Sequence, residues 1–535
     1  MWKTGWRDEV WSRLDQEWDL VVIGGGITGA GILAEATHAG LRTLLVEGGD
    51  FASGTSSRST KLVHGGLRYL RQAQIRLTRE SVREREKLLR EGGGLVTPLG
   101  FYLASFTGDK MPTWMFGAGL AVYDILASKW AHKRFPKREL LARVPALAGA
   151  PIKGAYHYYD AQTDDARLVV RVLREAVRRG GTAVNYARAE SLLRDAKGRV
   201  VGAVIADRAN GATRTKEVKA KVVINATGAW ADELRVKLGK DQRLRAIRGS
   251  HLIFPAARFA LPEAFSLLHP KDGRAVFALP WEGVTLVGTT DVDHQGDLKV
   301  EPAISAQEAD YLIEAVRHAF PTLNLTLGDV RSTYSGVRSV INTGKGDPSK
   351  ESREHALWRE DGLLTVSGGK LTTFRLMARE ALRAVRDALP GLDGAAAKRT
   401  RVLDDAPSDD PALAKLDDPT RSYIIGRHGI DAAAVLACGA EKGTTDGGSV
   451  DGRIDDTSAM WAELRWAARS EGAVHLDDLL LRRVRLGLLA DEGGMKLLPR
   501  IRAVVQSELA WDDARWAVEE KQYKETWTRC YGTRF

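Results

Sequence analysis

The alternation of apolar and polar residues divides this chain into recognisable segments. From Asp19 to Ile23 the run DLVVI is short and apolar, and it passes through GGGITGAG into a helical pattern from Ile27 to Ala39. A second apolar run, LRTLLVE, spans Leu41 to Glu47. Strand, glycine turn, helix and strand in that order make a βαβ unit, which predicts parallel sheet at the N-terminus. From Ile75 to Arg90, Arg and Glu recur at helical spacing and read as an exposed helix. Asp164 opens the amphipathic helix DDARLVVRVLREAVRRGG, with Asp164 and Asp165 read as its cap. TAVNYARAESLLR, GRVVGAVIAD and AKVVINATG follow as strands, and Leu244 to Asp291 alternates like antiparallel sheet. LLTVSGGKLTTFRLMAREALRAV returns to strand, glycine turn and helix. After Pro390 the pattern changes: DDAPSDDPALAKLDDP is an acidic, proline-bearing linker, and from about Ser422 the remainder is almost wholly helical.

With 535 residues, two or three domains are expected. Only Cys438 and Cys530 occur, which disfavours a disulfide framework or a cysteine metal site and fits a reducing compartment; no metal site is expected. The opening MWKTGWRDEVWSRLDQEWD carries charges throughout and does not read as a secretory signal. No stretch reaches the roughly 18–20 apolar residues that span a bilayer. The net charge of +10 suits nucleic acid, anionic lipid or an anionic substrate, or is simply a basic surface. No nucleic-acid-binding motif accompanies it, so nucleic acid is not an expected partner.

Gly24, Gly26 and Gly29 fit G-x-G-x-x-G directly after a strand and at the mouth of a helix. The first permits a tight turn, the second lets a pyrophosphate approach the backbone, and the third lets helix and strand pack closely. The helix N-terminus offers N–H groups to phosphates, and Glu47, ending the second strand, is placed to accept from a ribose. Two further glycine turns bear on which dinucleotide binds. VVINATGAW brings Ala226, Thr227 and Gly228 to a strand end. TVSGGKLTT sets Gly368, Gly369, Lys370, Leu371 and Thr372 between a strand and a helix. Three turns spread over the chain favour the long cofactor FAD over a nicotinamide held by one contiguous domain.

The stretch SSRSTKLVHGGLRYL, Ser56 to Leu70, gathers Arg58, Lys61, His64 and Arg68 around paired glycines. Together with DLVVIGGGITGAGI, TDDARL, VINATGAW, GSHLIF, VGTTD, YSGVR and SGGKLTTFR, in that order along the chain, it resembles the FAD-dependent glycerol-3-phosphate dehydrogenases from about Trp18 to Arg386. A thinner match continues into the helical C-terminal part. The resemblance implies an α/β (α+β overall) fold: a glutathione-reductase-like FAD-binding Rossmann domain, an antiparallel-sheet substrate domain and a C-terminal helical cap. The corresponding division is 18–92, 153–235 and 355–392 for FAD; 93–152 and 236–354 for substrate; 393–420 for the linker; and 421–535 for the helical domain.

The resemblance also implies an activity: oxidation of sn-glycerol 3-phosphate to dihydroxyacetone phosphate, with electrons passed from FAD to a membrane quinone. Arg68, Tyr69, Arg338, Arg353 and Lys370 match positions lining the family's substrate pocket, where guanidinium forks suit a phosphate. Lys370 has a second reading beside the flavin, stabilising the reduced ring. His64 and His251 are the histidines of the matched segments, and either can take the hydroxyl proton. His64 is favoured for its place on the loop expected to pass the flavin, and His251 has a structural reading as well. Ser56, Ser57 and Lys61 are expected to bind the cofactor or hold the loop, while Arg58 and Arg71 read as solvated or ion-paired. Ser339 stands where many relatives carry proline.

Trp114, Met115, Phe116 and Leu120, followed by Lys129, His132, Lys133, Arg134, Lys137 and Arg138, suit either an anionic membrane interface or a packed helix with an exposed basic loop. Trp461, Trp466, Trp511, Trp516 and Trp527 read as anchors of the helical cap. The expected location is cytoplasmic, peripheral on the inner face of the cell membrane, with room for a homodimer. Three other readings stand beside the dehydrogenase: an oxidase making hydrogen peroxide from the same substrate, a flavin-binding redox scaffold without catalysis, and a dehydrogenase of another 2-hydroxy acid.

Overall fold

A computed structural model of the chain describes residues 1–67, 74–109, 112–127, 131–211, 214–344, 346, 351, 354–389, 392, 401–404, 410–441 and 452–535. In chain order, the elements that shape the site begin with β1 (Trp18–Ile23), α1 (Ile27–His38), β2 (Thr43–Val46) and α2 (Ile75–Glu91). They continue with β3 (Val96–Phe106), α3 (Thr113–Ala127), β4 (Ile152–Thr163), α4 (Asp165–Arg178), β5 (Thr182–Val184) and β6 (Thr215–Asn225). Then come β7 (Leu244–Pro255), β8 (Ala264–Leu268), β9 (Ala275–Trp281), β10 (Val284–Gly288), β11 (Ser332–Ile341), β12 (His355–Glu360), β13 (Leu363–Gly368) and α5 (Phe374–Ala384).

One sheet runs β12–β13–β6–β1–β2–β5. Four of these pairings are parallel; β12 joins antiparallel at one edge, and β6 also takes the strand Val200–Asp207 antiparallel. β1 is central and covered on both sides: Leu20, Val21 and Val22 are fully buried, as continuous apolar runs in parallel sheets demand. Each such side chain contributes about 1.5–3 kcal/mol by burial. The helix α1 packs on this sheet and against α5, where Phe374 fills the space beside Gly31. The second sheet is mostly antiparallel, with β7 flanked by β10 and β11, and β9, β8, β3 and β4 beyond. The end of β4, grouped by sequence with the cofactor-binding segments, pairs along its length with β3 in this second sheet.

Two local readings change. The segment TAVNYARAESLLR divides into β5 and a separate strand, Ala187–Arg194, that leaves for a small antiparallel excursion. α2 is a helix as expected but not an exposed one. Its Ser81, Glu84 and Arg85 are buried, with Arg85 closing on Asp160 at 2.8 Å and Glu84 on Arg375 at 3.1 Å. Polar residues at helical spacing looked solvated because their partners lie far away in sequence.

The C-terminal helices meet the first sheet through a buried seam of charge. Arg482 and Arg483 close on Asp50 at 2.5 and 2.8 Å. Arg485 spans Asp164 and Asp165, Arg427 joins Asp164 to Glu463, and Arg167 forks onto Glu471. Asp164 also caps α4, accepting from the Arg167 N–H at 3.2 Å. Trp461, Trp466, Trp516 and Trp527 are buried on this side, and Trp527 donates to the Gly487 carbonyl.

Candidate active site

A cavity of about 1490 Å³ runs between the two sheets. One end is made of backbone. Gly24 leaves β1 at φ +117°, and a Cβ there would stand 2.5 Å from the Ala226 carbonyl. A Cβ on Gly29 would fall 1.9 Å from the Gly24 carbonyl. Both positions therefore exclude side chains, and the chain passes here as bare backbone. Gly26 caps α1 without a side chain, and the hydroxyl of Ser56 accepts from the Ile27 N–H at 2.9 Å, tying the following loop to the helix mouth. The Glu47 carboxylate accepts from the Gly25 N–H at 2.6 Å and the Gly49 N–H at 2.8 Å. Burial raises its pKa, opposed by those two bonds.

Ala226, Thr227 and Gly228 line the cavity beside this turn, and Gly368, Gly369, Lys370, Leu371 and Thr372 line it further on. Gly368 and Gly369 both take positive φ, +75° and +76°, with Cβ positions filled by the Glu354 carbonyl and Met377. The Thr372 hydroxyl donates to the His64 carbonyl at 3.2 Å, joining this turn to the histidine loop. This bare-backbone cradle, acidic strand end and helix mouth fit a dinucleotide.

The other part of the cavity is made of side chains. His64, His251, Arg338 and Lys370 all line it. The His251 ring stacks on Tyr334, with centroids 4.5 Å apart and planes 14° apart, and Gly288 leaves room for it: a Cβ there would lie 2.1 Å from the ring. Its Nε2 lies 2.9 Å from the Thr60 hydroxyl. Burial pushes its pKa well below the usual value, and the charges of Lys61 and Arg338 add to this, so the ring is held neutral. Lys370 donates to the Ser81 hydroxyl of α2 at 2.9 Å. Arg338 closes on the buried carboxylate of Asp291, which Arg274 also approaches at 3.2 Å.

The pattern of the FAD-dependent oxidoreductase family matches residues 19–382. The pattern of the C-terminal domain of alpha-glycerophosphate oxidase matches residues 377–516. The aerobic glycerol-3-phosphate dehydrogenase of Staphylococcus epidermidis is 40% identical over 381 residues, 70% of this chain and 68% of that protein. The Staphylococcus aureus protein of the same name is 40% identical over 377 residues, covering 69% and 67%. The chain belongs to the family of FAD-dependent aerobic glycerol-3-phosphate dehydrogenases. Its cofactor is FAD. Among solved structures, the glycerol-3-phosphate dehydrogenase from Bacillus halodurans complexed with FAD aligns over 99% of this chain and 98% of that one. Its TM-score is 0.77 and its identity 29%. The L-alpha-glycerophosphate oxidase of Mycoplasma pneumoniae, 17% identical with a TM-score of 0.56 over 69% of this chain and 95% of its own, shares the fold.

Not every expected site residue of this family member lines the cavity. Arg68, Tyr69 and Arg353, with Arg71 and Lys129, lie outside the described residues. Lys61 does not face the cavity: its ammonium is wholly buried on Asp165 at 2.8 Å and on the Ser57 carbonyl at 2.7 Å. Burial, reinforced by Arg485 and opposed by Asp165, brings its pKa down to about 7. Ser57 is buried beside it, so the pair holds the loop from behind. Arg58 takes the ion-paired of its two expected readings: it is buried on Glu301 at 2.5 Å and on the Tyr531 hydroxyl. Sequence reasoning missed Arg274, Asp291, Ser81 and Thr60. Asp291 sits inside the quoted VGTTD motif and Thr60 inside SSRSTKLVHGGLRYL, which were the available signals, whereas nothing local marks the other two.

Proposed function

We propose that this protein oxidises sn-glycerol 3-phosphate to dihydroxyacetone phosphate and passes the electrons to a membrane quinone. The observation that carries this reading is the continuity of one cavity from the bare-backbone cradle to a wall bearing His64, His251, Arg338 and Lys370. When bound, FAD would supply two-electron acceptance for the oxidation of the alcohol carbon. The chain must then hold the phosphate and take the hydroxyl proton. Guanidinium and ammonium groups facing a low-dielectric cavity bind a phosphate strongly. Arg338 and Lys370 fill that role with Arg68, Tyr69 and Arg353, which match the family's substrate positions. His64 is the base in this reading. In the same reading His251, buried, stacked and held neutral, orients the hydroxyl.

A quinone acceptor draws support from the apolar part of the cavity wall, where Met115, Phe116 and Val122 of α3 stand. The same helix exposes Trp114 at 68% and Ile125 at 69%, and Lys133, Arg134, Lys137 and Arg138 follow on exposed backbone. Apolar side chains beside cations suit the interface of an anionic membrane, which is where we place the protein. Among the described residues no helix is long and apolar enough to cross a membrane. An oxidase is the second reading, favoured by the match of residues 377–516 to the alpha-glycerophosphate oxidase C-terminal domain.

The test is anaerobic addition of sn-glycerol 3-phosphate to the yellow holoenzyme. Bleaching of the flavin supports the substrate, and a protein that stays yellow refutes it. Reoxidation by a quinone analogue much faster than by oxygen supports the dehydrogenase; rapid reoxidation by oxygen with release of hydrogen peroxide supports the oxidase.

A further inference from the structure

Arg338 presents a difficulty as the phosphate anchor. Its guanidinium closes on Asp291, whose side chain is fully buried, so the pair is close to neutral as a unit. A phosphate monoester carries between one and two negative charges near neutral pH, and a neutral pair offers it little. The second oxygen of the same carboxylate takes Arg274 Nη2 at 3.2 Å. Arg274 lies at the foot of β9, on a turn whose Asp272 accepts from the Arg274 N–H at 2.9 Å and so fixes its backbone. The Arg274 and Arg338 side chains keep 24% and 27% of their surface open, and both line the cavity. Arg274 adds a second guanidinium to this carboxylate and gives it only Nη2, which brings more positive charge to the cavity wall.

We propose that Arg274 is a second guanidinium for the phosphate of the substrate, and that Asp291 is the positioning residue that sets Arg274 and Arg338 side by side. This rests on the phosphate-ester reading above. Asp291 holds one cation on each of its oxygens and so keeps them close in space, an arrangement their mutual repulsion would otherwise oppose. The unit then reads a dianionic oxygen group, while the adjoining histidines meet the hydroxyl.

The test uses FAD-loaded holoenzyme, with bound flavin per chain as the check on folding. Anaerobic bleaching across a range of sn-glycerol 3-phosphate concentrations gives a half-saturation point and a limiting rate. Arg274→Ala is expected to raise the half-saturation point about 10- to 100-fold, while the limiting rate moves by less than about threefold. Bleaching by unphosphorylated glycerol should not change, and Arg274→Lys should recover part of the loss. Lys271→Ala, an exposed cation on the same turn, should leave all of these values at wild type. Asp291→Asn should also raise the half-saturation point, and combining it with Arg274→Ala should cost less than the product of the two single effects, because they act as one unit. If Arg274→Ala loses its flavin, Arg274→Gln takes its place. Half-saturation within about twofold of wild type in a flavin-loaded Arg274 variant overturns the inference. So does a Lys271→Ala loss equal to that of Arg274→Ala. If wild-type flavin never bleaches, the substrate reading fails by itself, and the inference is decided by inorganic phosphate, read as a change in flavin absorbance. Phosphate binding that the wild type lacks, or that Arg274→Ala retains, overturns it.

Discussion

At the seam between the C-terminal helices and the first sheet, Arg482, Arg483 and Arg485 meet Asp50, Asp164 and Asp165 with side chains no more than 3% exposed. On the cavity wall, Arg338 and Arg274 share Asp291 but keep about a quarter of their surface open. The residue types are the same. What differs is whether the charge is balanced within the chain. A buried guanidinium balanced by the chain's own carboxylates is part of the fold, and removing one partner leaves an uncompensated charge in low dielectric. A guanidinium that shares a carboxylate and faces a cavity has binding capacity left for a ligand. Damage to the first cluster should therefore appear as lost stability, and damage to the second as lost turnover.

The largest expected effect is at the seam. Asp50→Ala takes the carboxylate from Arg483 and leaves Arg482 only Asp477 and Asp478, and should cost about 3–5 kcal/mol of unfolding free energy, read from the urea midpoint. A change below about 1 kcal/mol would remove the seam from the list of stabilising features. Acid tests the same region without mutation. Burial raises the Asp164 pKa, but Arg485 and Arg427 outweigh it and hold the group at about 2. Glu463, opposed by burial and stabilised by His428 and Arg427, also lies at about 2. Unfolded carboxylates titrate near 4, so each group's contribution, about 2–3 kcal/mol, is full above that pH and lost as the pH falls through 2. Far-UV circular dichroism between about pH 5 and 2 should show loss of structure concentrated below pH 4; a transition centred above pH 5 would contradict this.

Next in size is the cavity. Arg338→Ala should lower kcat/KM by about 10- to 100-fold, with the urea midpoint moved by less than about 1 kcal/mol. Equal losses of activity and stability would erase the distinction between the two clusters. The smallest effect is expected from Ser81→Ala, which removes the hydroxyl that accepts from Lys370. Turnover should fall about 2- to 10-fold through the limiting rate or KM, with flavin content unchanged.

The cradle was legible because its signals are local. A strand, Gly24, Gly26, Gly29, a helix and Glu47 lie within thirty residues of one another, and each position's steric demand can be stated from the sequence. The cation partners were not legible. Arg338 and Asp291 are 47 residues apart, Lys370 and Ser81 289, and Arg58 and Tyr531 473. Such pairs exist only once the sheets are assembled. Which of its two expected roles Lys61 takes, binding the cofactor or holding the loop, was hidden for a related reason. Its place beside Ser56 and Ser57 suggested a ligand role, but its positive φ of +61° and the carboxylate of Asp165 turn the side chain away from the cavity. The same holds for α2, whose charges have buried partners on β4 and α5.

The strand order of the first sheet also sets a timetable. β1 lies between β2, its near neighbour in sequence, and β6, which begins at Thr215. At about 5–20 residues per second, a ribosome needs roughly 10–30 seconds to make the intervening chain, during which the second edge of β1 has no covering strand. The cavity lining runs from Ile23 to Thr372, so its last wall emerges later still. All the segments that line the site are present only after most of both sheets has been translated.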